Sequence, residues 1–172
     1  MNRIEKGSLL VLAIIVAFNI FFGLGSIPLL DPDEPVYAET AREMIQFNDY
    51  LSPRIYNEYW FDKPPMYYWL VAGAMHVFGD GEFAARFPAA LMAFLTVIML
   101  YCSITRLFNE RAGFWSALVL ATSVQFFYLG KAAVTDTTLL FFLTGSLLCY
   151  LHKQYWLMYV CCLLYTSDAA DD

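Results

Sequence analysis

Apolar positions in this chain come in long blocks rather than in an amphipathic stripe. No residue is charged from Gly7 to Leu30, from Phe87 to Thr105 or from Ala112 to Gly130, and Asp136 alone interrupts Ala132 to Leu151. A run of about 20 apolar residues is long enough to cross roughly 30 Å of hydrocarbon as a helix. The pattern predicts membrane helices at about 8–28, 85–107, 112–130 and 133–152, with a fifth over 155–164. Arg3 and Lys6 precede the first run as in a secretory signal. The run is too long for a signal core, however, and no small-residue cleavage pattern follows it.

Between the first two runs lies an outer loop at 29–82, which is polar but ordered in its patterning. The stretch "DPDEPVYAETAREMIQF" reads as a helix with Asp33 or Glu34 as cap, Pro35 in the first turn and an interrupted apolar face of Val36, Ala41, Met44, Ile45 and Phe47. The polar stretch "NDYLSPRIYNEY" separates it from "PPMYYWLVAGAMHVFG", a helix too short to span but suited to lying in the headgroup belt. The predicted fold is all-α: a polytopic transmembrane bundle with two amphipathic interfacial helices in its first outer loop.

Composition sharpens this picture. The chain is 60% hydrophobic and 15% charged, outside the range of soluble domains. Basic residues set the orientation. Arg3, Lys6, Arg106, Arg111 and Lys153 fall on one side, which predicts a cytoplasmic N-terminus and an extracytoplasmic 29–82 loop. The four cysteines lie in apolar helices without metal-ligand spacing and read as packing residues. The formal charge of −6 owes three acids to the terminal "YTSDAADD". That string turns polar inside a membrane-like run and resembles translated adapter sequence. It predicts a non-native tail at 165–172 on an N-terminal fragment.

Two features of the outer loop carry chemistry. One is the acidic pair Asp33-Glu34 at a helix start, which a simple dipole-capping role would also explain. The other is Asp62-Lys63-Pro64-Pro65 on a shelf of Tyr59, Trp60, Tyr67, Tyr68 and Trp69. A snorkelling lysine in a surface turn would account for it too. Taken together, a rigid ammonium at headgroup depth suits a phosphate, aromatic faces suit a sugar or isoprenoid, and a carboxylate suits a general base. Arg42, two turns beyond Asp33, reaches the same region or pairs with Glu39 or Glu43; His76 reads as structural.

The segments "DPDEPVYAETAREM", "YWFDKPPMYYWLVAGAMHVFG", "EFAARFPAAL" and "GKAAVTDTTLLFFL" resemble, in order and spacing, the integral-membrane GT-C glycosyltransferases. The branch is the one containing aminoarabinose transferases and protein O-mannosyltransferases. The resemblance implies sugar transfer from a polyprenyl-phosphate donor to a lipid or protein acceptor at the non-cytoplasmic face of a bacterial plasma membrane. It implies Asp33 as base with Glu34 beside it, Lys63 on the lipid-linked phosphate and Asp136 as a second acid near the site; Tyr37, Arg42, Tyr59 and Tyr67 are further candidate substrate contacts. It also implies a divalent metal at Asp62, where close relatives carry glutamate. Val36 stands where the aminoarabinose transferases carry arginine. A transporter fits poorly, since helices one to three carry no interior charge. A membrane scaffold would leave the acid pair and the lysine shelf unused.

Overall fold

The structure is a computed structural model that describes residues 3–30, 32–61, 63 and 65–164. The helices are α1 (Arg3–Phe21), α2 (Asp33–Phe47), α3 (Met66–Phe78), α4 (Glu82–Leu107), α5 (Glu110–Thr122), α6 (Val124–Lys131), α7 (Asp136–Leu151) and α8 (Tyr155–Leu164). α4 is the axis: α1, α3, α5, α6 and α7 all pack on it.

Two cores stack along α4. The first joins α1 (Leu12, Val16, Ile20) to Ala90, Ala93, Val97 and Tyr101 of α4, Ala117 and Ala121 of α5 and Phe126 of α6. Its α1 residues recur every fourth position, one face of a helix. On the opposite face Leu10, Ile14, Phe18 and Phe22 are exposed. Alanines at the α4 contacts let backbones approach closely, as membrane helices require when solvent exclusion offers no drive between them. The second core joins Tyr37, Ala38, Ala41 and Met44 of α2 to Tyr67, Tyr68, Val71 and Ala72 of α3, and to Ala84 and Ala85 at the start of α4.

The structure departs from the hydropathy pattern in several places. α1 ends at Phe21 rather than near residue 28, because Gly23 adopts φ +68° and turns the chain. The run expected at 112–130 is broken at Ser123, where ψ is 128°, and α5 and α6 meet at a 65° bend. Among the described residues, Glu82–Leu107 alone is long and apolar enough to cross a membrane unaided; the bent pair would make a second span. The fold is not purely helical. Arg54–Ile55 (β1) and Glu58–Tyr59 (β2) form a two-stranded hairpin in the stretch read as irregular. Tyr56 and Asn57 take φ of 53° and 68° at its tip, the geometry of a primed two-residue turn. α2 buries Tyr37, Ala38, Ala41 and Met44, whereas Phe47, expected on its apolar face, is exposed.

Candidate active site

Neither acid of the Asp33-Glu34 pair caps α2. Pro32 occupies the cap position and no side chain bonds there. The two adjacent carboxylates instead diverge. Asp33 is exposed, while Glu34 is 3% exposed and turns inward. Its Oε1 accepts from Arg86 Nε at 2.9 Å and the Ala133 N–H at 2.6 Å, and its Oε2 from Arg86 Nη2 and the Leu30 N–H, both at 2.7 Å. Arg86, 5% exposed, spends its remaining donors on the carbonyls of Leu24 (3.1 Å), Ile27 (2.7 Å) and Pro28 (2.9 Å). All five guanidinium N–H groups and all four carboxylate lone-pair sites are thereby engaged. Burial alone would raise the Glu34 pKa, but the bonds from Arg86, Leu30 and Ala133 outweigh it and hold the carboxyl below its ordinary value. Glu34 has no lone pair left with which to take a proton, so the pair divides into one anchored and one accessible carboxylate.

Tyr37 lies about one turn after Asp33 on α2 and is buried. Burial pushes its phenol up, a hydrogen bond with the Thr135 side chain and the charge of Lys63 pull it back, and Asp33 and Asp136 push it up further. Asp136 is exposed at the first turn of α7, and the following Thr137 hydroxyl donates to the Ala89 carbonyl at 3.1 Å, seating α7 on α4. Lys63 is exposed between the hairpin and α3.

Tyr67 lies elsewhere than on an open shelf. It is 1% exposed and its ring meets Tyr37 edge-on at 5.2 Å, so it supports the site from beneath; Tyr68 is likewise buried. Tyr59 is 62% exposed, beside Phe61 at 6.0 Å and under the Arg54 guanidinium at 4.7 Å. Arg42 points away from this cluster, bonded through Nε and Nη2 to Asp80 at 2.7 and 2.9 Å and through Nη1 to Glu39. It straps α2 to the α3–α4 turn. Glu43 instead accepts the Asn57 N–H at 3.1 Å and holds the hairpin tip. Asp62 lies outside the described residues, as does the 165–172 segment. Among the described residues no three His, Cys, Asp or Glu side chains gather as metal ligands. A cavity of about 400 Å³ opens behind the Glu34–Arg86 pair, lined by Phe22, Ile27, Leu30, Phe127, Tyr128 and Lys131. It backs onto the reactive cluster rather than containing it.

Arg86 was not singled out from the sequence. A lone arginine immediately before a charge-free run reads as a membrane flank, and only its burial beside Glu34 distinguishes it.

The model of the dolichyl-phosphate-mannose-protein mannosyltransferase family matches residues 62–165, more than half of the chain. The chain belongs to this family. Within it the chain is similar to the undecaprenyl phosphate-alpha-4-amino-4-deoxy-L-arabinose arabinosyl transferase of Yersinia enterocolitica. The identity is 33% over 150 residues, which cover 86% of the chain and 27% of that protein. A Pseudomonas fluorescens transferase of the same description is 37% identical over 109 residues, 62% of the chain and 19% of that protein. The apo crystal structure of ArnT from Cupriavidus metallidurans superposes with a TM-score of 0.82 at 25% identity, over 92% of the chain and 30% of its own. The undecaprenyl phosphate-bound form of that ArnT shares the fold with a TM-score of 0.84. The chain spans under a third of the length of these relatives.

Proposed function

We propose that the protein carrying this chain moves a sugar from a polyprenyl-phosphate donor to an acceptor hydroxyl on a lipid, glycolipid or protein. In this reading the chain crosses a bacterial plasma membrane several times, with its N-terminus in the cytoplasm and the α2–α3 layer at the outer surface. The observation that carries it is the Glu34–Ala133 hydrogen bond of 2.6 Å, which holds the start of α2, with exposed Asp33, against the link that leads to exposed Asp136.

The step is an inverting displacement. The acceptor oxygen attacks the anomeric carbon and its proton passes to Asp33. The bond from that carbon to the phosphate oxygen breaks, and its electron pair leaves with the polyprenyl phosphate. Lys63 stabilises the charge gathering on the phosphate. A phosphate leaves without protonation, so the second carboxylic acid required in glycoside hydrolysis has no counterpart here. Asp136 orients the acceptor or sugar beside Asp33, and exposed Tyr59 offers a face to the sugar or the first isoprene units. Arginine at position 36 is a feature of aminoarabinose transferases; Val36 leaves the identity of the sugar open to a neutral hexose.

Release of polyprenyl phosphate from a panel of polyprenyl-phosphate sugars, measured in membranes, tests the reading. Asp33→Asn and Lys63→Ala should each lower turnover by about a hundredfold or more at normal protein levels. Turnover matching wild type in both variants would remove the proposed site and favour a scaffold role.

A further inference from the structure

We infer that Arg86 is a positioning residue, whose buried pairing with Glu34 sets Asp33 against Asp136. This rests on the transferase reading above. The pair sits where four chain segments meet. Arg86 comes from α4, the three carbonyls it holds belong to the turn leaving α1, Glu34 opens α2, and the Ala133 N–H belongs to the link between α6 and α7. Asp33 is one peptide bond from Glu34 on one side of this junction. On the other side, Asp136 is three residues from Ala133.

The geometry is over-determined in a way that a simple ion pair is not. Each Glu34 oxygen receives one bond from Arg86 and one from a backbone N–H. Sliding α2 relative to the α6–α7 link therefore breaks a backbone bond as well as a charged one. The planar guanidinium supplies two parallel bonds to the carboxylate and has donors left for the carbonyls. Lysine at this position keeps the charge but cannot make both sets. Substrate-positioning errors near 1 Å cost about a hundredfold in rate, so a clamp at this junction acts on turnover without touching the donor.

Two readouts in the membrane-embedded protein that carries this chain test the clamp. The first is structural. Asp33→Cys and Asp136→Cys are introduced after Cys102, Cys149, Cys161 and Cys162 are replaced by serine, and a short bismaleimide bridges the two positions. Adding Arg86→Gln, or the milder Arg86→Lys should Arg86→Gln fail to accumulate, is expected to cut the bridged fraction several-fold in the folded protein. The second readout is kinetic. In the otherwise unaltered protein, Arg86→Lys and Glu34→Gln are expected to lower kcat about ten- to a hundredfold with the donor KM unchanged. Bridging that is insensitive to Arg86 overturns the inference, as does a kcat that survives when bridging falls. A rise in donor KM with kcat intact also overturns it, since Arg86 would then bind the donor. If bridging falls and the unaltered protein transfers no sugar at all, the clamp stands as architecture while the transferase reading fails.

Discussion

At the scale of single residues, two arginines of similar sequence context do different physical work. Arg42 pairs with Asp80 and Glu39 at side chains 44%, 53% and 29% exposed, where solvent screens the charges and holding long side chains costs entropy. Arg42→Ala should cost under about 1 kcal/mol in a denaturation series. Arg86 and Glu34 are 6% and 4% exposed at the side chain. Removing one partner leaves the other charged and dry, so Glu34→Gln should cost about 3–5 kcal/mol in the same assay. The pair also predicts a pH response. Since the folded Glu34 pKa lies below the ordinary 4.5, the stability it contributes is complete above 4.5 and is lost as pH falls through the folded value. Thermal midpoints should stay flat down to about pH 5 and then drop. Glu34→Gln should start lower and lose less on acidification. An equal acid slope in both proteins would mean that Glu34 is not charged in the fold.

At the scale of elements, close approach explains where substitutions will be felt. α5 crosses α4 at Gly113, where an added Cβ would stand 2.9 Å from the Tyr101 carbonyl and 3.0 Å from the Thr105 amide, besides touching the Thr105 hydroxyl. Backbone cannot yield as a flexible side-chain tip can. Gly113→Ala should therefore destabilise the α4–α5 pair by about 1–3 kcal/mol. Gly73, within α3, has open space around its Cβ position, and Gly73→Ala should be neutral or stabilising by up to about 1 kcal/mol. Unfolding in mixed micelles compares the two directly. The hairpin owes its place to tertiary contacts: Arg54 lies over the rings of Phe47 and Tyr59 at 5.1 and 4.7 Å, and Glu43 holds the Asn57 amide. A Tyr-Asn turn between strands of two residues carries little of the Asn-Gly signal that marks such hairpins in sequence.

For the whole molecule, the proposed orientation places the hairpin and the α4–α5 turn on opposite sides of the bilayer. Leu51, 78% exposed beside the hairpin, and Phe108, 72% exposed before α5, are convenient reporters. In a cysteine-free background on intact cells, Leu51→Cys should react with a membrane-impermeant maleimide, and Phe108→Cys only after permeabilisation. The reverse pattern would invert the topology and put the Asp33 cluster in the cytoplasm, away from an outward-facing lipid donor. Among the described residues only α4 is long and apolar enough to span by itself, and the two reporters lie on either side of it.

Membrane character and the helices of the outer segment were legible in the chain itself. Charge-free runs are local patterns whose energetic meaning does not depend on distant partners. What the adjacent acids do was not legible. Asp33 and Glu34 share the same local context and differ by one methylene, but the helix sends one carboxylate outward and the other toward Arg86. Tyr67 and Tyr59 look alike on a linear aromatic shelf, yet packing of α3 against α2 buries the first and leaves the second open. The break at Ser123 was hidden because hydropathy sums over a bend that changes no residue's polarity. Sequence determined which chemical groups the molecule has and which segments leave water. Tertiary structure decided which of those groups keep a free lone pair, because a hydrogen bond is consumed by whichever partner the fold brings near.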